Sequence, residues 1–155
     1  MSLNPERSKG ISRSMLHMFF TFMELDNQTH FYGTDVEIYP AEIHILSEIA
    51  RHPGIHIMGL AEMRSVTKGN ASQVTLRLEK KGLIERRISK TNQSKLSLYV
   101  TEKGMTAHQH HMDYHEKLDA LFALELENAS EDNVRFLENF IRETMKNVKD
   151  LEKEL

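Results

Sequence analysis

The sequence predicts a mostly helical α+β fold in which one helix runs directly into a basic β-hairpin, and three observations predict it. In Thr67–Gly104, TKGNASQVTLRLEKKGLIERRISKTNQSKLSLYVTEKG, the residues Ala71, Val74 and Leu78 recur at helical spacing until Gly82 stops the helix. After it, Leu96, Leu98 and Val100 alternate with Ser97 and Tyr99, the period of a half-buried strand, across a polar, turn-like stretch from Lys90 to Lys95. The third observation is charge. Lys68 to Lys95 holds eight Lys/Arg against two Asp/Glu, a surplus of +6; the rest of the chain, twelve against twenty-one, carries −9, so the net −3 conceals a cationic segment on an acidic protein.

The other elements follow in order. From about Ile11 to Thr29, one stripe of Ile11, Met15, Met18, Phe22 and Leu25 and a second of Leu16, Phe19, Phe20 and Met23 make a helix apolar over much of its circumference. A surface helix of a monomer shows one stripe; two stripes fit either a helix buried between its own chain and a partner, or the central helix of one domain. His30 to Val36, with Gly33 and Asp35, reads as a loop. Pro40 opens a helix whose Ile43, Leu46 and Ile49 or Ala50 face inward, and Pro53-Gly54 ends it. A short helix from about Met58 to Arg64 follows, buried through Leu60, Ala61 and Met63. Beyond the hairpin, Thr101 caps a helix running to about Leu126, on which His108, His111, His115, Leu118 and Phe122 step by three and four. A last helix from about Ser130 places Val134, Leu137, Ile141, Thr144, Val148, Leu151 and Leu155 on a heptad seam, widened by Phe136, Phe140 and Met145.

Composition sets bounds. The 155 residues allow one domain of ordinary size, or a smaller core with extra helices for association. With no cysteine, disulfides and thiol chemistry are excluded. No apolar run approaches a membrane span and no signal-peptide core opens the chain, so the expected location is cytoplasmic and no membrane partner is expected. An enzyme is not expected. The nearest catalytic signal, His111-Met112-Asp113-Tyr114-His115, lacks the glutamate that a zinc peptidase places after its first histidine, and neither a phosphate-cradling glycine loop nor a nucleophile elbow is present. A purely structural interaction module would use the heptads, but would leave the basic hairpin without a purpose.

The motifs YPAEIHILSEIARHPGI, GLAEM, TKGNASQVTLRLEKKGLIERR and YVTEKG, in that order and spacing, resemble the MarR family of transcription regulators. The resemblance implies a winged helix-turn-helix within an all-helical dimerisation framework: residues 36–104 as the DNA-binding domain, 1–35 and 105–155 as the dimerisation region. It also selects the partnered reading of the first helix, and with it a homodimer on a palindromic site in double-stranded DNA. By the same resemblance Asn70, Ser72 and Gln73 are base-edge candidates, Gln73 matching adenine in a bidentate pair, while Lys68, Thr75 and Arg77 contact phosphates or bases, and Arg87 lies on the hairpin. Two departures stand out. Ser65 occupies a turn position where the family usually has glycine. Asn92, Gln93 and Ser94 replace the usual Asp-Arg-Arg wing element, so minor-groove reading falls to Lys90, Gln93 or Lys95.

Two effectors fit the sequence. One is an aromatic or other small organic molecule in the cleft between the DNA-binding and association helices, where Phe19, Phe22 and Tyr39 are expected. The other is zinc. Histidines four apart on one helix face suit a single ion, and three imidazole nitrogens with one carboxylate oxygen make a tetrahedral set that zinc accepts. The HIL at His44-Ile45-Leu46 and the histidines after TEKG resemble the zinc-responsive AdcR branch of the family. That resemblance implies His44, His111 and His115 as ligands with Asp26, or Glu24 two residues away, as the fourth. The branch's second site uses a cysteine, absent here. The plain alternative is that these histidines line a helix interface.

Overall fold

The computed structural model describes residues 4–28, 30–88 and 96–154. Its elements are α1 (Pro5–Asp26), α2 (Pro40–Arg51), α3 (Ile57–Met63), α4 (Lys68–Lys80), β1 (Ile84–Ile88), β2 (Leu96–Val100), α5 (Glu102–Leu126) and α6 (Glu131–Glu152). They fall into two units, Met1–Met112 and Asp113–Leu155.

In the first unit, α1 begins six residues before the expected Ile11, because the Asn4 side chain accepts from the Glu6 N–H at 2.9 Å and Pro5 occupies the first helical position. None of its residues is buried. The core is built instead by α2, α3, α4 and the hairpin: Ile43, Leu46 and Ile49 of α2 pack with Leu60, Val74, Leu78, Leu83, Leu98 and Ala107. Met63, expected inside, is exposed. Full burial of each large aliphatic side chain stabilises such a core by about 1.5–3 kcal/mol.

Strands β1 and β2 pair antiparallel from Ile84↔Val100 to Ile88↔Leu96. The simple alternation expected of β2 is interrupted. Ser97 and Leu98 are both buried, whereas Leu96 is exposed. The cause is a third segment on the far edge of β2: Gly54 donates to the Leu98 carbonyl at 2.9 Å, Leu98 donates to that of Ile55 at 3.0 Å, and His56 bridges to Ser97. A strand paired on both edges covers positions that an edge strand would leave wet. The α5 start is fastened by Thr101, whose hydroxyl accepts from the Gly104 N–H at 3.1 Å and donates to the Gly82 carbonyl at 2.7 Å.

The second unit holds the rest of α5, then α6, capped by Ser130 accepting from the Asn133 N–H at 3.3 Å. No residue of α6 is buried, and Phe136, Ile141, Met145, Val148 and Leu151 are exposed. Leu155, the last expected heptad position, lies outside the described residues, as does Thr29 at the expected end of the first helix.

Candidate nucleic-acid interface

Helix α4 is the element best built to present side chains. Thr67 accepts from the Asn70 N–H at 3.2 Å and opens it. At its end Gly82, at φ +72°, donates to Glu79 while Leu83 donates to Leu78, both at 2.9 Å, the paired bonds of a left-handed glycine stop. Ala71, Val74, Thr75 and Leu78 are buried on one face. Lys68, Asn70, Gln73 and Arg77 are exposed on the others, and Ser72 is half-buried.

Thr75 is a correction. It was expected to contact DNA, but it has no exposure, and its hydroxyl donates to the Ala71 and Ser72 carbonyls at 2.9 and 3.0 Å while accepting from Arg86 at 3.3 Å. Its place four residues after Ala71 puts it on the inner face. Sequence reasoning also missed Leu76, 43% exposed on the opposite side of α4, where it is available for apolar contact with a base. Its signal was only its position two residues off the inner stripe.

Arg77 faces outward but is anchored: its Nε lies 3.1 Å from Oε1 of Glu42, a carboxylate with no solvent exposure. Along β1 the arginines part company. Arg86 turns in, pairing with Glu79 at 3.0 Å, while Arg87 is exposed, pairs with Glu85 and lies over the Tyr99 ring at 4.7 Å. Lys90, Gln93 and Lys95, the expected wing contacts, are outside the described residues.

The expected ligand residues are partly gathered. His44 Nε2 stands 3.6 Å from Asp26 Oδ2, and the rings of His44 and His111 meet edge to face with centroids 5.2 Å apart. Tyr32 joins them, its ring 5.6 Å from that of buried His111 and 5.3 Å from that of His30. Gly33, at φ +72°, packs against the His110 ring. His115 belongs to the second unit, beside Tyr114. Asp26, His44 and His111 are therefore neighbours. Among the described residues no three His, Asp or Glu side chains are grouped to hold a metal ion. Glu24 is exposed on α1. Of the aromatic candidates, Phe19 is exposed, Phe22 half-buried, and Tyr39 lies beneath Lys81, whose ammonium is 4.8 Å from its ring centre. One more histidine is set apart: burial, helped by the charge of Arg51, holds the His108 pKa below its ordinary value, with Nδ1 3.1 Å from the buried Ser47 hydroxyl.

Residues 38–94 match the sequence model of the MarR family. The chain is 25% identical over 112 residues, 72% of its own length and 64% of the relative's, to an uncharacterized HTH-type transcriptional regulator, YhjH, of Bacillus subtilis. In structure it resembles Streptococcus pneumoniae FabT in complex with DNA, at TM-score 0.66, 22% identity and coverage of 96% and 99% of the two chains. It also resembles a zinc-responsive MarR family member, Lactococcus lactis ZitR, at TM-score 0.74 and 15% identity, covering 90% and 98%. These structural likenesses establish the fold.

Proposed function

We propose that the chain, whose residues 38–94 match the MarR family model, is a sequence-specific DNA-binding regulator of transcription, acting as a homodimer on palindromic operators under a small effector. The observation that carries this reading is the division of α4. Its inner face is locked into the core, while Lys68, Asn70 and Gln73 stand exposed on the outer faces of a segment carrying +6. Hydrogen-bonding side chains suit base edges and cations suit phosphates. Residues 36–104 would be the DNA-binding part; 1–35 and 105–155 would associate. Duplex binding that falls steeply with salt is the expected result, as counterions are released; affinity indifferent to salt would exclude it.

The homodimer reading is supported by large apolar side chains that stand exposed on α1 and α6 among the described residues. In α1, Phe19, Phe20 and Met23 are exposed; in α6, Phe136 is 69% exposed and Val148 60%. Apolar surface on this scale marks an association face. Sedimentation at micromolar concentration should give a dimer, and a monomer there would end the reading. Among the described residues no helix is long and apolar enough to cross a membrane.

For the effector, the small organic ligand and zinc remain distinct readings. Zinc is favoured by the adjacency of Asp26, His44 and His111. Holding it would require the two rings to leave their edge-to-face contact and turn nitrogens toward one ion.

A further inference from the structure

Glu42 is the third residue of α2 and its carboxylate is fully enclosed. Oε2 accepts from the Tyr39 backbone N–H at 3.0 Å and so closes the first turn of α2. The same oxygen lies 2.5 Å from Lys81 Nζ, and Oε1 accepts from Arg77 Nε at 3.1 Å. A carboxylate removed from water needs a countercharge. One cation is enough for neutrality; the end of α4 brings two.

The two cations are placed differently. Lys81 is turned inward: its side chain is 22% exposed, its ammonium also donates to the Glu37 carbonyl at 2.8 Å, and it covers the Tyr39 ring. Arg77 is 49% exposed and meets Glu42 through Nε alone. A guanidinium is a rigid plane with five N–H donors. Anchoring it at Nε orients the plane and leaves the terminal nitrogens for a group outside the fold.

We propose that Glu42 is a positioning residue for DNA binding: it holds the Arg77 guanidinium ready for a backbone phosphate, while Lys81 neutralises the carboxylate so that the charge of Arg77 remains for the DNA. The proposal rests on the DNA-binding reading above. It accounts for a buried acid set against the most cationic segment of the chain. A bare acid there would repel the phosphates; an acid matched by Lys81 only orients. Because an arginine side chain loses much rotamer freedom when it grips a phosphate, one already ordered binds at lower cost.

The experiment measures affinity against salt for a duplex selected from a random pool and for a duplex of arbitrary sequence, using the full chain and the variants Glu42→Gln, Arg77→Gln, Lys81→Gln and Glu42→Gln/Arg77→Gln. Far-ultraviolet circular dichroism checks that each is folded. Arg77→Gln should lower the salt slope by about 0.9, the share of one phosphate. Glu42→Gln should weaken both duplexes severalfold at unchanged slope, and should have no effect once Arg77 is gone. Lys81→Gln should lower the slope toward that of Arg77→Gln, because Arg77 then becomes the sole counterion of Glu42. Tighter binding with a steeper slope in Glu42→Gln would overturn the proposal by showing that the acid withholds Arg77. A Glu42→Gln that melts earlier but binds as the native chain does would overturn it too. Should Glu42→Gln not fold, the Lys81→Gln slope decides: a slope equal to the native one overturns the proposal. A native chain that binds neither duplex removes the DNA-binding reading itself, an outcome distinct from native binding that Arg77 and Glu42 do not govern.

Discussion

A Cβ placed on Gly104 would stand 2.0 Å from the carbonyl oxygen of Leu83. The first turn of α5 thus packs backbone to backbone against the residue that follows the α4 glycine stop, and the same carbonyl accepts from the Thr101 N–H at 3.1 Å. Gly104→Ala should destabilise the protein by about 3 kcal/mol, an overpacking cost with no flexible neighbour to absorb it. Gly10→Ala is the control, since nothing lies within 4 Å of its Cβ position; it should stabilise α1 by up to about 1 kcal/mol. Urea unfolding of both variants reads the contrast, and equal midpoints would contradict the packing argument.

Ser65 sits at φ +52°, the left-handed region, in the turn between α3 and α4. Ser65→Gly should raise stability by about 0.5–1 kcal/mol, the relief of the Cβ strain less the greater freedom of the unfolded chain. Ser65→Val should lower it, because a β-branched residue adopts that conformation least readily. The order of thermal midpoints checks the pair.

Gln73 and Thr75 lie two residues apart and should behave as opposites. On the proposed DNA-binding reading, Gln73→Ala should change base preference at one position by about 1–3 kcal/mol. Thr75→Val should cost about 1 kcal/mol of fold stability through the lost hydroxyl bonds and leave base preference as it was. Binding to a panel of single-base operator variants separates them.

His108 gives the pH dependence a definite sign. Its pKa is held low in the fold, so folding favours the neutral ring. That contribution is complete above the unfolded value of about 6.5 and is lost as pH falls through the lower folded value. Thermal midpoints should therefore decline below that pH, and His108→Gln should flatten the decline.

The zinc reading is tested at His111. Titration against a competing chelator should then show tight uptake by the native chain and its loss in His111→Ala. Uptake unchanged by that substitution would remove the zinc reading and leave the small organic ligand.

Periodicity made the helices and the inner stripe of α4 legible, because Ala71, Val74 and Leu78 announce themselves by hydrophobicity. The same method passed over Thr75 and Glu42. Both are polar residues buried by virtue of their partners, and those partners, Arg86 for one and Arg77 with Lys81 for the other, lie 11 to 39 residues away. Ser97 was misjudged for a related reason: its burial depends on pairing with His56, which nothing within β2 itself reveals. The histidine cluster was legible as a set of residue types at suggestive spacing. The mutual orientation of the His44 and His111 rings was not, since it depends on how α2 and α5 pack.

The hydroxyl of Thr101 on the Gly82 carbonyl has a consequence for how such a protein can diversify. It clasps the two ends of the hairpin together, and the ladder from Ile84↔Val100 to Ile88↔Leu96 carries that clasp outward. The chain joining Ile88 to Leu96 therefore spans a gap whose width is already set. Doubling its length would add only about 0.6 kcal/mol of closure entropy. Sequence can be lengthened or exchanged at this point while Gly82 and Thr101 hold the base of the hairpin.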